Sequence, residues 1–133
     1  ERPLIVKVGY FKDQEAINFF MKSSKGIIAG FSSANTYARK VTNNEGKGAF
    51  PGRPMAGISG SAIRTLSLQQ AENIAQYRDE LGLKDFVLIG IGGVTKPEHI
   101  DAYLRIGSNA VQTAVGAWAD PYLAQKYKKE MYA

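Results

Sequence analysis

The sequence predicts a parallel α/β sheet covered by helices, and three observations carry that reading. Four short runs, at residues 4–8, 26–31, 86–90 and 109–113, are rich in apolar and β-branched residues. They read as strands apolar on both faces, as in a parallel sheet, rather than as half-solvated ones. Helix-patterned stretches separate them, giving the order β-α-β-(long loop)-α-β-α-β-α, in which each crossover returns the chain to a parallel strand. No linker or shift of composition divides the 133 residues, so the expectation is a single domain over 1–133.

The elements follow in order. Leu4-Ile5-Val6-Lys7-Val8 is a short β-branched strand that stops at Gly9. Asp13 offers an N-cap to a helix whose apolar face is Ala16, Ile17, Phe19, Phe20 and Met21, ending before Gly26. Residues 26–31 form the second apolar run. Between residues 32 and 65 no periodicity survives; with Asn35, Asn43, Asn44 and five glycines the segment reads as a long loop with a short helical piece. Loops of that length in compact domains are usually functional. Ser67-Leu68-Gln69-Gln70 is a capping-box pattern, followed at helical spacing by Ala71, Ile74, Ala75 and Leu81, with Gly82 closing the helix. The third strand leads into Ile91-Gly92-Gly93-Val94. Thr95-Lys96-Pro97-Glu98 is a second capping box, with proline where its missing N–H costs nothing. That helix runs to Gly107. After the fourth strand come a turn around Gly116-Ala117-Trp118 and an amphipathic helix capped by Asp120-Pro121 and reaching Tyr132.

Composition excludes several classes. With no cysteine there is no disulfide framework, thiolate metal site or cysteine nucleophile within the chain, and no metal-ligand spacing is present. No apolar run approaches the roughly 20 residues of a membrane span, and nothing at the start reads as a signal peptide, so a cytoplasmic location is expected. The net charge of +5 is scattered rather than massed, which fits a small anionic ligand at least as well as nucleic acid. The chain opens on Glu1-Arg2-Pro3 without Met and enters a strand at once, which reads as a cut made just before a strand.

Parallel sheets bind ligands at the carboxyl ends of their strands. Gly90-Ile91-Gly92-Gly93 follows the third strand and Ala114-Val115-Gly116 follows the fourth. Two consecutive small-residue turns after the last two strands are the usual phosphate site of a (β/α)8 barrel; the spacing is not that of a dinucleotide fingerprint. Lys7 lies within a strand, on the face of Ile5 and opposite Val6 and Val8, where an ammonium calls for an anion or polar ligand. Asn35 and Thr36, just past the second strand, suit a planar polar heterocycle. Gly57-Ile58-Ser59-Gly60 would lay backbone against a flat ligand or phosphate, and Arg64 is left between a phosphate and a surface carboxylate. The single His99, in the first turn of a helix, reads as exposed, and Trp118, Tyr127 and Tyr132 read as packing residues.

Taken together, Pro3-Leu-Ile-Val-Lys-Val8, Ser33-Ala-Asn-Thr36, Gly57-Ile-Ser-Gly-Ser-Ala-Ile-Arg64, Leu88-Ile-Gly-Ile-Gly-Gly-Val94 and Asn109-Ala-Val-Gln-Thr113 resemble the dihydroorotate dehydrogenase family of FMN-dependent barrels. The resemblance runs through almost the whole chain and matches the fifth to eighth strands of that barrel, which implies the C-terminal half of a (β/α)8 TIM barrel. It implies that Lys7 contacts the pyrimidine end of the FMN ring and that Asn35 and Thr36 reach a dihydroorotate-like substrate. The FMN ribityl phosphate would be held by Gly57, Gly60, Gly92 and Gly93 with the turn at Ala114 and Val115. The implied reaction takes a proton from C5 of dihydroorotate and a hydride from C6 to flavin N5, as in pyrimidine biosynthesis. Two departures stand out. Ala114-Val115 replaces the family's usual hydroxyl-bearing pair, and nothing matches the segment that carries the family's catalytic base. No catalytic residue is therefore assigned, and the isolated chain is expected to be inactive. Four strands with two open edges imply self-association or pairing with a missing N-terminal half. Two other readings stay open: a phosphate-binding barrel aldolase or isomerase without flavin, with Lys7 as its reactive amine, and a folded fragment with no activity of its own.

Overall fold

The computed structural model describes residues 2–131. The main sheet contains β1 (Ile5–Val8), β2 (Gly30–Ser33), β5 (Val87–Ile91) and β6 (Ala110–Gln112), hydrogen-bonded in that order. Every neighbouring pair is parallel, as the alternation of strands and helices predicts. The helices are α1 (Gln14–Ser24), α2 (Arg64–Glu80), α3 (Pro97–Arg105), α4 (Val115–Ala119) and α5 (Leu123–Met131). A separate antiparallel pair, β3 (Tyr37–Lys40) and β4 (Met55–Ile58), leads into a 3-10 turn over Gly60–Ile63.

The alternation of strand side chains sorts the sheet into two faces. Val8, Phe31 and Leu88 join Ile17 and Met21 of α1, Ala71, Ile74 and Ala75 of α2, and Tyr103 of α3 in the helix-covered core. The other face carries Ile5 and Lys7, then Val87, Ile89 and Ile91, then Ala110 and Gln112, of which Ile5, Lys7, Ala110 and Gln112 are exposed. The expectation of strands apolar on both faces therefore holds at β5 and fails at β1, an edge strand whose second face is open. On that second face Ser32 Oγ donates to Gln112 Oε1 at 3.1 Å, spanning the strand between them.

Local capping explains α1: the Asp13 carboxylate accepts the Ala16 N–H at 2.7 Å. Other boundaries differ from the sequence reading. The second strand begins at Gly30 rather than 26, because Ile27 and Ile28 both donate to the Ser24 carbonyl and continue the end of α1 as a turn. The supposed loop holds the β3–β4 hairpin, fixed by the burial of Tyr37 with Ala34 and Ile63. The capping box at Ser67 is not a cap. The 3-10 turn runs straight into α2 at Arg64, which places Ser67 and Gln70 inside the helix and buries both. Gln70 instead bonds across the fold: Nε2 donates to the Gly9 carbonyl and to Ser33 Oγ, and Oε1 accepts the Phe11 N–H. Nor does Thr95 cap α3, whose N-cap is Lys96 with no side-chain bond. The turn at Gly116-Ala117-Trp118 is the short helix α4, and Trp118 is 91% exposed rather than packed. Tyr127 does bond within the fold, its hydroxyl donating to Asp101, while Tyr132 lies outside the described residues.

Candidate functional site

A cleft of about 190 Å³ lies at the carboxyl ends of the parallel strands. Of the residues singled out above, Lys7, Asn35, Thr36, Gly60, Gly92, Gly93, Ala114 and Val115 line it. They come from five separate stretches of sequence. Gly57 does not line it: it lies on β4, paired with Ala38, and a Cβ there would press on the Thr36 hydroxyl. Sequence reasoning missed Thr95 and Thr113, which also line the cleft. Thr113 lies one position before the Ala114-Val115 pair in which a hydroxyl was sought, so the relevant signal was present one residue earlier.

Each part of the cleft has a local cause. Lys7 projects from β1 on the exposed face shared with Ile5, not from a buried position as its place in an apolar strand suggested. Among the described residues no carboxylate lies within ion-pair distance of its ammonium. Asn35 and Thr36 sit exposed between β2 and the hairpin, held in place because the next residue, Tyr37, is buried. Gly92 and Gly93 have φ of 131° and 67°, a region side chains disfavour. Space excludes a side chain as well. A Cβ on Gly92 would overlap Ser67 Oγ, and one on Gly93 would lie 2.8 Å from the Arg64 Cα, so α2 packs directly on this backbone. The glycine turn after β5 meets the turn after β6, since Thr113 Oγ1 donates to the Val94 carbonyl at 2.7 Å and Gly116 packs against the same carbonyl.

Behind the cleft, His99 is tied in rather than free in solvent. Its Nδ1 accepts the Thr95 N–H at 3.1 Å, and the Arg64 guanidinium lies 2.7 Å from Nε2. Among the described residues no surface carboxylate pairs with Arg64. Both neighbours of the ring are donors; a neutral imidazole has one lone-pair nitrogen to offer them, and an imidazolium has none. Burial first, and then the Arg64 charge, hold the His99 pKa below its ordinary value of 6.5. A depressed folded pKa means that stability is fully present above 6.5 and is lost as pH falls from there through the folded pKa. Urea denaturation at about pH 7.5 and about pH 5 is expected to show a smaller loss for His99→Gln than for the parent chain. Equal losses would remove His99 as the titrating group.

The fold and the cleft together define a class: a parallel α/β sheet whose glycine turn and following small-residue turn sit at its ligand-binding end, as in (β/α)8 barrels. No protein-family profile matches the chain. The dihydroorotate dehydrogenase of Dictyostelium discoideum is 32% identical over 128 residues, covering 94% of this chain and 34% of the relative. Dihydroorotate dehydrogenase A (fumarate) of Limosilactobacillus reuteri is 28% identical over 75 residues, 56% of this chain and 22% of that protein. Among solved structures, the Eimeria tenella dihydroorotate dehydrogenase in complex with ferulenol superposes with a TM-score of 0.75 at 18% identity, covering 98% of this chain and 34% of that one. By sequence the chain fits the dihydroorotate dehydrogenase family, and by fold it is part of a TIM barrel. It spans about one third of the length of the Dictyostelium relative.

Proposed function

We propose that this chain is the FMN- and substrate-binding portion of a dihydroorotate dehydrogenase-like oxidoreductase that converts dihydroorotate to orotate. The observation that supports this reading is the convergence of Lys7, Asn35, Thr36, the Gly92-Gly93 turn and the Ala114-Val115 turn on one cleft. The donor set suits a flavin phosphate. The paired glycines bring bare backbone to the cleft wall, and no described carbonyl takes the N–H of Gly93 or Val94. Backbone N–H groups presented in this way favour an anion.

FMN, when bound, supplies the hydride acceptor. The chain's own groups bind and orient. The Lys7 ammonium would offset negative charge on the flavin ring, and Asn35 and Thr36 would hydrogen-bond the polar edges of the substrate. No residue here is assigned to proton abstraction, which falls to a base outside this chain. The size of the cleft agrees: about 190 Å³ is below the roughly 300–1,000 Å³ of complete small-molecule sites. We assign the remaining wall to the missing half of the barrel, which would pair with the edge strands β1 and β6.

Titrating the 133-residue chain with FMN while following flavin fluorescence tests the reading. Saturable quenching is expected. Fluorescence that follows simple dilution to millimolar protein would overturn it.

A further inference from the structure

Beneath the glycine turn lies a polar cluster that the proposed function leaves unused. Tyr103 of α3 is completely buried, and its hydroxyl donates to the Gly92 carbonyl at 2.8 Å. Ser67 of α2 and Tyr37 of β3 are also buried, and neither hydroxyl has a hydrogen-bond partner among the described residues. A buried phenol in the apolar core costs free energy unless it is hydrogen-bonded. The Gly92 carbonyl is the partner that Tyr103 has found.

The peptide plane turns this contact into a consequence for the cleft. In a trans peptide the carbonyl of one residue and the N–H of the next point in opposite directions. With the Gly92 carbonyl drawn toward the core by Tyr103, the Gly93 N–H points away from the core. Gly93 lines the cleft, and no described carbonyl accepts its N–H. Glycine φ is not itself restricted by a side chain at either residue, so φ preference alone does not fix the orientation of this peptide. A peptide flip at this position would present a carbonyl oxygen to the ligand in place of a donor, converting attraction for an anion into repulsion.

We propose that Tyr103 is a positioning residue for the phosphate cradle, fixing through its hydroxyl the 92–93 peptide in the orientation that turns the Gly93 N–H toward a ligand phosphate. This rests on the reading of the cleft as a flavin phosphate site. Burial pushes the Tyr103 pKa up, so the hydroxyl stays protonated and remains a donor at any working pH. The role needs the hydroxyl and not the ring, which separates it from core packing.

The test compares FMN with riboflavin, which carries the same ring without the phosphate. The parent chain is expected to bind FMN more tightly than riboflavin. Tyr103→Phe keeps the ring and removes the hydroxyl; it is expected to weaken FMN binding about five- to tenfold while leaving riboflavin binding unchanged. A variant that keeps the parent's FMN-to-riboflavin ratio would overturn the proposal while the flavin reading stands. Should the variant fold poorly by circular dichroism, amide NMR of the parent chain decides: the Gly93 N–H resonance is expected to shift with FMN and not with riboflavin. FMN binding without that shift overturns the positioning role. Equal affinity for the two flavins, or binding of neither, overturns the phosphate site itself and the proposal with it.

Discussion

Gly92→Ala is expected to destabilise the chain by about 2–6 kcal/mol, the sum of a strained backbone and an overpacked contact. Gly92 has φ of 131°, outside the region open to an alanine, and the new methyl would collide with Ser67 of α2. Ser67 cannot retreat, because it lies wholly buried within a helix whose Ala71, Ile74 and Ala75 face the same core. Either the turn or the helix must move, and both form the back of the cleft. Against the roughly 5–15 kcal/mol that holds a typical domain together, the loss is large. Gly9→Ala is the control: a Cβ there meets nothing within 4 Å, and the change is expected to stay within about 0.5 kcal/mol. Urea midpoints measure both. A Gly92→Ala variant as stable as Gly9→Ala would mean that the turn is not packed against α2 as described.

Lys7→Ala is expected to act in the opposite way, sparing the fold and damaging the site. The side chain is exposed and makes no ion pair among the described residues, so the change in stability is expected to be within about 0.5 kcal/mol. A hydrogen bond from a charged group contributes about 1.5–3 kcal/mol, which corresponds to a loss of roughly 10- to 150-fold in flavin affinity. Because the proposed contact is to the ring, FMN and riboflavin should weaken together. Tyr103→Phe should separate them. The two variants thus report on opposite ends of the ligand, by fluorescence titration. Unchanged affinity for both flavins in Lys7→Ala would remove the lysine from the site.

The sheet was legible because its signals are local. Val6, Phe31 and Leu88 stand in short apolar runs, and the Gly92-Gly93 turn ends a strand with residues that need no neighbour to interpret. The β3–β4 hairpin was not legible. Of Tyr37, Ala38, Arg39 and Lys40 only the tyrosine is buried, so no alternation marks the strand, and its partner lies beyond the next fourteen residues. Ser67 and Gln70 show a different failure. Their types and spacing match a capping box, yet Gln70 bonds to Gly9 and Phe11, just past β1, and to Ser33 on β2, while Ser67 packs beneath Gly92, at separations no local pattern encodes. Of the candidate site, most of the lining residues were readable because they lie in strands or just after them. Their supports were not, because Tyr103 and Thr113 act through carbonyls of residues distant in sequence. His99 was misjudged for the same reason, its partner Arg64 lying 35 positions away.

A crystal structure of the chain grown with FMN tests the central claim most directly. The phosphate is expected between the Gly92-Gly93 turn and the Ala114-Val115 turn, within hydrogen-bond reach of the Gly93 N–H, with the ring extending toward Lys7. A flavin seated elsewhere on the molecule, or bound in the cleft with its phosphate turned away from both turns, would contradict it.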